Sequence, residues 1–462
     1  MDATPDAAPY ASLDTGYLDD LPSDSPPHHL RPEGMHAGCD CGTEAEPADH
    51  WRRGFTRRRV LQGSAAMVAA LGVQTVTTRF AFSAAAATAL NTDVIVMINL
   101  RGGWDTLNIV VPTFEDIYYN QRQNIAVPKA AALPLSNGWA LHPQLTAIQK
   151  LYQAGTFAPV VAVGTPDTTL SHFEAMDTLE RGTAAGMNTS GWMNRVLQAR
   201  NQKGVFAAVQ FGSQVPLALS GNAPALAMDG IQSFGLAGYD DVRVKAATAF
   251  AGLYKGLKHP VATQVTDTLA GVTAVQKLRD TAYTPAAGAT YPNGGLGNSL
   301  KDAARLIKSN LGLTMAAFDV GGWDMHTNEG RVDGGDLKDH LVELNAAIGA
   351  FVTDLGPMYD NVTVVLLSEF GRTLRENGSN GTDHGHGQAL WVLGGKVNGG
   401  RVYGTWPGLA DKALYTNGSV GATTDYRDVI ADVLTRRGGL ASTRSVFPDY
   451  TPKPLGITKT RA

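Results

Sequence analysis

Cysteine is almost missing: the 462-residue chain has two, Cys39 and Cys41, and both fall in a leader expected to be removed. The chain beyond the leader therefore offers no disulfide, no thiolate metal ligand and no cysteine nucleophile. Cys39 and Cys41 themselves are open to metal binding or to pairing with another chain. Surplus charge is lacking too. The formal net charge is −4, and cleavage near Ala85 takes 11 acids and 7 bases, leaving 31 of each from the original 42 and 38. That balance excludes the basic footprint of a nucleic-acid partner. The apolar run of the leader, Ser64 to Val76, is thirteen residues long. A helical span needs about 20, so no integral membrane span is expected in the mature protein.

Residues 1–50 are rich in Pro, Ala, Asp and His, and carry all 11 of those acids against the single base Arg31. Such a segment buries too little apolar surface to offset its ordering entropy and reads as a disordered leader. Residues 51–87 read as a signal peptide. The basic stretch Thr56-Arg57-Arg58-Arg59-Val60-Leu61 precedes the short apolar run, and small residues Ser83 to Ala87 come after it; paired arginines before Val-Leu resemble a twin-arginine export signal. The mature protein is then expected in the periplasm, at the cell surface or outside the cell. Twin-arginine export carries proteins that fold before crossing, which is compatible with a preformed metal site.

Residues 88–462 are expected to form a single α/β domain. Asp93 to Leu100 is a continuous β-branched run, the mark of a strand buried on both faces. Phe157 to Val163, Val205 to Phe211, Leu313 to Val320, Val362 to Leu367 and Ala389 to Leu393 read as further strands. Pro143 to Ala154, Ser171 to Arg181, patches within Asp240 to Leu278, Leu300 to Leu311, Leu337 to Leu355 and Tyr426 to Arg437 read as helices. Asp280 to Asn298 reads as a Pro/Gly-rich loop placed to cover a site. Alternation of this kind predicts a mostly parallel central sheet sandwiched by helices, with ligands gathering at the carboxyl ends of the strands.

Chemistry-bearing residues concentrate at those ends. Thr382-Asp383-His384-Gly385-His386-Gly387 packs a carboxylate and two imidazoles into four residues, ligand types a divalent transition metal accepts. The bland alternative is a polar surface loop. Asp105 follows the first strand, Ser171 and His172 follow the second, Asp324 and His326 a later one, and Glu369 the next. His142, His259 and His340 fall outside these segments and read as structural or solvated. Trp104 and Trp323, each after two glycines and before an Asp, read chiefly as core packing.

The motif set is specific. It comprises Leu100–Asp105 (LRGGWD), Leu141–Pro143 (LHP), Ser171–Phe173 (SHF), Gly322–His326 (GWDMH), Ser368–Arg372 (SEFGR), Asn377-Gly378, Gly381–His386 (GTDHGH) and Gly399–Gly404 (GGRVYG). With the leader, it resembles the domain-of-unknown-function 1501 family, which is similar in fold to the alkaline phosphatase and sulfatase superfamily. The resemblance implies an alkaline-phosphatase-like fold, a two-metal centre and hydrolysis of a small anionic substrate, a phosphate or related sulfate or phosphonate ester. Two cations about 4 Å apart hold the attacking and the leaving oxygen of an in-line displacement. By this resemblance Asp105 would bridge or ligate one metal, Asp324 and His326 would supply the other, and Asp383, His384 and His386 would complete both shells. Zinc suits an imidazole-rich set; manganese or calcium suits one dominated by carboxylates.

Glu369 and Arg372 are candidates for a further ligand and a clamp on an anionic group, or for a structural ion pair. Ser171 is the candidate nucleophile, with Thr165 and Thr169 in the same loop as alternatives. Ser171 to Glu174 also has capping-box spacing. His172 is a candidate ligand or hydrogen-bond donor. An oxidised-cysteine sulfatase mechanism is excluded by the missing cysteine. A different class of function, an exported metal-binding or scaffold protein with a degenerate site, stays open at this point.

Overall fold

The computed structural model describes residues 93–184, 188–202, 204–234, 240–257 and 260–461. The leader, the signal segment, both cysteines and His259 lie outside the described residues. In chain order the elements begin with β1 (Val94–Leu100), α1 (Thr106–Ile109), β2 (Val110–Pro112), α2 (Asp116–Gln121), β3 (Leu133–Pro134), β4 (Trp139–Leu141), α3 (Thr146–Gln153) and β5 (Phe157–Gly164). Next come α4 (His172–Arg181), α5 (Trp192–Ala199), β6 (Ala208–Phe211), β7 (Leu226–Met228), α6 (Asp240–Tyr254), α7 (Pro260–Asp280), α8 (Gly295–Lys308) and β8 (Met315–Val320). The rest comprises α9 (Asp336–Leu355), β9 (Val362–Leu367), β10 (Arg372–Glu376), β11 (Thr382–His384), β12 (Gln388–Gly394), β13 (Thr424–Asp425) and α10 (Tyr426–Arg436).

The main sheet has eight strands in the order β13-β5-β12-β9-β1-β8-β6-β7. Its pairings are parallel except those of β12, which runs antiparallel to both β5 and β9. The α/β class expected from the sequence is the one observed. β1 shows why its sequence is a continuous apolar run. Val94, Val96, Ile98 and Leu100 enter the core on one side of the sheet, while Ile95 and Met97 enter the core on the other. Each such side chain, fully buried, contributes roughly 1.5–3 kcal/mol. The first core is closed by α3, α8 and α9, and the second by α4, α5 and α10. On α9, Leu337, Leu341, Leu344, Ile348, Phe351 and Leu355 are buried at helical spacing, so one stripe faces the sheet.

β12 reverses the chain, and this has a consequence for the site. The segments after β1, β5, β8 and β9 leave the sheet at its carboxyl-terminal end, and an antiparallel strand begins at that same end. Asp383 to His386, which precede β12, are thereby brought to the segments that succeed the other strands. Two smaller sheets, β2-β4-β3 and the hairpin β10-β11, lie outside the main one. The β10–β11 hairpin and its turn present Thr382 to His384. The loop expected to cover the site does not. Tyr283, Tyr291 and the backbone N–H of Ala286 all donate to Asp354, near the last turn of α9. As the crossover from β8 to β9, α9 terminates at the opposite end of the sheet.

Trp104 and Trp323 are both core, meeting edge to face at 6.1 Å, as their apolar character predicted. Their glycines matter for a different reason. A Cβ on Gly102, whose φ is +128°, would stand 2.3 Å from the backbone nitrogen of Asp324, so only glycine lets the loops after β1 and β8 touch.

Candidate metal centre

Three imidazoles and one carboxylate converge at the carboxyl-terminal end of the sheet. His326 Nε2 lies 3.0 Å from His384 Nε2 and 3.1 Å from Asp324 Oδ1, and His384 Nε2 lies 3.3 Å from the same oxygen. His172 Nε2 is 3.3 Å from Asp324 Oδ2, and the donor atoms offered by His172, Asp324 and His384 all fall within 4.8 Å of one another. A tetrahedral cation with metal–ligand bonds of about 2.0–2.1 Å spaces its donors roughly 3.3 Å apart. The 3.0–3.3 Å separations fit this spacing, and the spread of up to 4.8 Å among His172, Asp324 and His384 is looser than it.

Each ring is held from behind at Nδ1. His172 Nδ1 is 2.7 Å from Glu369 Oε1, His326 Nδ1 is 2.9 Å from Asp383 Oδ1, and His384 Nδ1 is 2.8 Å from the Leu170 carbonyl. All three partners are acceptors, which assigns the proton to Nδ1 in each neutral ring and leaves every Nε2 with a lone pair. Three lone pairs and a carboxylate then face one another. His172 Nε2 is buried without a hydrogen-bond partner. A cluster of acceptors with nothing to accept from is stabilised by a cation at its centre, and outward carboxylate–histidine pairs are the usual second layer of such sites. A divalent metal ion therefore fits these residues.

The supports are specific. Glu369 is buried, accepts from the Gly102 N–H at 2.9 Å, and has its other oxygen 2.6 Å from Ser368 Oγ. Asn377 Nδ2 donates to the His326 carbonyl at 2.8 Å and to Asp383 Oδ1 at 3.3 Å. Leu170 has φ +58°, a conformation costly for a residue with a Cβ. That conformation accompanies the carbonyl that fixes His384. Electrostatics agree with the geometry. Burial favours neutral Asp324, but the Arg372 guanidinium outweighs it and holds the carboxyl below its ordinary range. The hydrogen bond from His326 does the same for Asp383. Burial, with help from the Arg372 guanidinium, lowers His384 and favours its neutral ring.

The structure separates several candidates from this cluster. Asp105 is not with it: its carboxylate caps α1 through the Leu107 N–H and forms a two-point ion pair with buried Arg122, whose remaining donors go to the Thr373 and Leu374 carbonyls. Arg122 outweighs burial and keeps Asp105 ionised. Its neighbour Glu329 is pushed well above the carboxylate range by burial and then by Asp105, so it stands protonated and donates to Asp105. His386 also turns away, its ring stacked on Tyr415 at 4.4 Å. Arg372 is no free clamp. It donates to the carbonyls of Gly102, Gly103, Thr382 and Trp323 and to Asp324 Oδ1. Glu369 and Asp383 are not the inner donors but hold His172 and His326.

Ser171 occupies the N-cap of α4 directly before His172, but its hydroxyl makes no capping bond, so the expected capping box does not form. Thr169 Oγ1 accepts from the Ser171 N–H instead, and Thr165 is buried. Of the other histidines, His142 is buried and lowered by that burial to about 4, and His340 packs on Trp323.

A cleft of about 470 Å³ opens beside the cluster, sharing His172, Asp324 and Glu369 with it and adding Arg101, Phe173, Met176, Asp177, Glu180 and Leu217. Arg101 is paired with Glu180 at 2.7 Å and Asp319 at 2.8 Å. Sequence reasoning passed over Arg101, although it too directly follows a strand. Leu170 and Asn377 gave no signal as positioning groups, because their roles lie in backbone conformation and in a contact across the β10–β11 turn.

The architecture and the His/Asp cluster define an α/β protein with a candidate metal centre at the carboxyl-terminal end of a mostly parallel sheet. The chain belongs to the family described as protein of unknown function (DUF1501), which matches residues 92–449. No curated protein matches the sequence. Among solved structures, it is similar to the C-terminal periplasmic domain of EcEptC from Escherichia coli in complex with Zn, at 9% identity and TM-score 0.37, covering 81% of this chain and 92% of that one. It is also similar to the lipoteichoic acid synthase LtaP from Listeria monocytogenes, at 9% identity and TM-score 0.32, covering 86% of this chain and 80% of that one. A third is Ps i-CgsB in complex with k-i-k-neocarrahexaose, at 11% identity and TM-score 0.34, covering 77% and 74%. Likenesses this distant carry no residue roles across. Among the described residues, no helix is long and apolar enough to cross a membrane.

Proposed function

We propose that this chain is an exported, metal-dependent hydrolase of phosphate or related sulfate or phosphonate esters, with the cation held by His172, Asp324, His326 and His384. One observation carries the reading: three Nε2 lone pairs, each fixed by an acceptor at Nδ1, converge on one carboxylate. The imidazole-rich donor set favours zinc, with manganese or calcium as alternatives. A divalent cation there would supply the positive charge that polarises an ester oxygen and activates a hydroxyl or water. The donors gather into one group, so the proposal needs one cation rather than the two expected from the sequence resemblance.

The chain's own residues do the rest. Glu369, Asp383 and the Leu170 carbonyl keep protons on the outer ring nitrogens, so the inner nitrogens stay free to bind. The acids at the site, Asp324, Glu369, Glu180 and Asp319, outnumber the cations Arg101 and Arg372, so an anionic ester is repelled until a metal is bound. Ser171 is the proposed nucleophile, at the start of α4 beside His172. Export by the twin-arginine route, to the periplasm, the cell surface or the medium, is part of the same proposal, supported by the paired arginines ahead of the short apolar run.

The test is turnover of an aryl phosphate, an aryl sulfate and an aryl phosphonate ester by zinc-, manganese- and calcium-loaded protein, beside Asp324→Asn and His384→Ala. Hydrolysis of one class, lost in both variants, is the expected result. Protein that binds metal with these residues and hydrolyses none of the esters would leave the metal-binding or scaffold reading in its place.

A further inference from the structure

The cleft beside the metal centre has two kinds of wall. Its charged groups are already engaged: Asp177 pairs with Arg181 at 2.8 Å, and Glu180 accepts from Arg101 at 2.7 Å and from the Ala218 N–H at 2.9 Å. One apolar group is not. Phe173, directly after His172, is 88% exposed, the most exposed of the large apolar side chains among the described residues. Met176, largely buried one helical turn further along α4, and Leu217 line the same cleft. Leaving a phenylalanine ring in water forgoes the stabilisation of burying it. An uncovered ring beside convergent donor atoms marks a contact surface for a ligand bound there.

We infer that the ester handled at this site carries an apolar, flat organic group, such as an aryl ring, and that Phe173 selects it by stacking, with Met176 and Leu217 closing the slot. This rests on the ester-hydrolase reading and adds the substrate's organic half to it. A polyol or sugar group would need free hydrogen-bonding partners in the cleft, and the charged groups there already have partners, Arg101 on Glu180, Asp177 on Arg181, Asp324 on Arg372 and Glu369 on His172. Phe173 is a specificity residue: it touches the leaving group and takes no part in bond breaking.

The experiment separates head from tail with two ligands that cannot turn over, phenylphosphonate and methylphosphonate, titrated calorimetrically into zinc-loaded protein. Wild type should bind the phenyl compound roughly two- to tenfold tighter, the range of one aromatic contact. In Phe173→Ala that ratio should fall to near one, and in Phe173→Leu to an intermediate value. Because Phe173 is exposed, neither substitution should disturb folding, and a circular dichroism melt checks this. Equal binding of the two ligands by wild type, or a ratio that survives in Phe173→Ala, overturns the inference while leaving the metal-bound anion site standing. Binding of neither phosphonate overturns the ester reading, and this inference falls with it.

Discussion

Glu369→Gln is the most informative single change, because it alters charge at one atom while keeping shape. Glu369 Oε1 accepts from His172 Nδ1 at 2.7 Å and from the Gly102 N–H at 2.9 Å, so a glutamine oxygen in its place still accepts both. The acceptor, however, becomes neutral, and a charge-assisted hydrogen bond is about twice as strong as a neutral one. The amide nitrogen would meet Ser368 Oγ, which already accepts from the Gly103 N–H. His172 becomes a poorer donor and is less firmly aimed. Loss of such an outer partner typically weakens metal binding about 10- to 100-fold, which is roughly 1.4–2.7 kcal/mol. At saturating metal, the stabilisation gained from the ion should shrink by the same roughly 1.4–2.7 kcal/mol. The assay is zinc titration against a competing chromophoric chelator, with melting curves of apo and loaded protein. A purely structural Glu369 would shift the apo and loaded melts equally and leave the zinc Kd unchanged, and that outcome would refute the reasoning.

Glu329 supplies a pH test away from the metal. Its folded pKa is raised above the ordinary 4.5 by burial and by Asp105, so its contribution to stability is complete below about 4.5 and is lost as pH rises toward the folded value. Glu329→Gln cannot ionise, though its amide nitrogen replaces an oxygen that accepts from Asn108 or Thr382, so its melting temperature relative to wild type should rise from pH 5 to pH 9; parallel curves would contradict the protonated assignment. Ser171→Ala removes no capping bond and should cost less than about 0.5 kcal/mol, while abolishing aryl-ester turnover with metal retained; wild-type turnover would remove Ser171 as nucleophile. Replacing Arg57 and Arg58 with lysine should hold the precursor in the cytoplasm, since recognition uses the guanidinium pair and not charge alone; normal export would refute the twin-arginine reading.

The range of each interaction decided whether the sequence disclosed it. The buried strands were legible because each is a local apolar run, and the rule that ligands gather at strand ends singled out His172, Asp324, His326 and Glu369, which the structure brings near one another, while His384 was singled out by the Asp-His-Gly-His pattern. That rule could not sort donors from supports. Whether a carboxylate faces a metal or an imidazole depends on partners far along the chain, as with Glu369, 197 residues from His172. Asp105 misled for the same reason. It lies just beyond a strand like Asp324, but Arg122 reaches it first. The role of Arg372 was hidden by geometry, since four backbone carbonyls converging on one guanidinium leave no trace in composition. The reversal of β12 was equally hidden, and it is the reason a segment preceding a strand meets segments that succeed others.

The central claim is that His172, Asp324, His326 and His384 hold a divalent cation, and elemental analysis of protein purified without chelators tests it most directly. The account predicts about one equivalent of metal per chain, by the donor count of one tetrahedral site. Asp324→Asn and His384→Ala should lose it, whereas His386→Ala and Asp105→Asn, if folded, should keep it. Wild-type protein that carries no metal and takes up none of zinc, manganese or calcium on dialysis, or an Asp105→Asn variant that folds but loses the ion while Asp324→Asn retains it, would contradict the account.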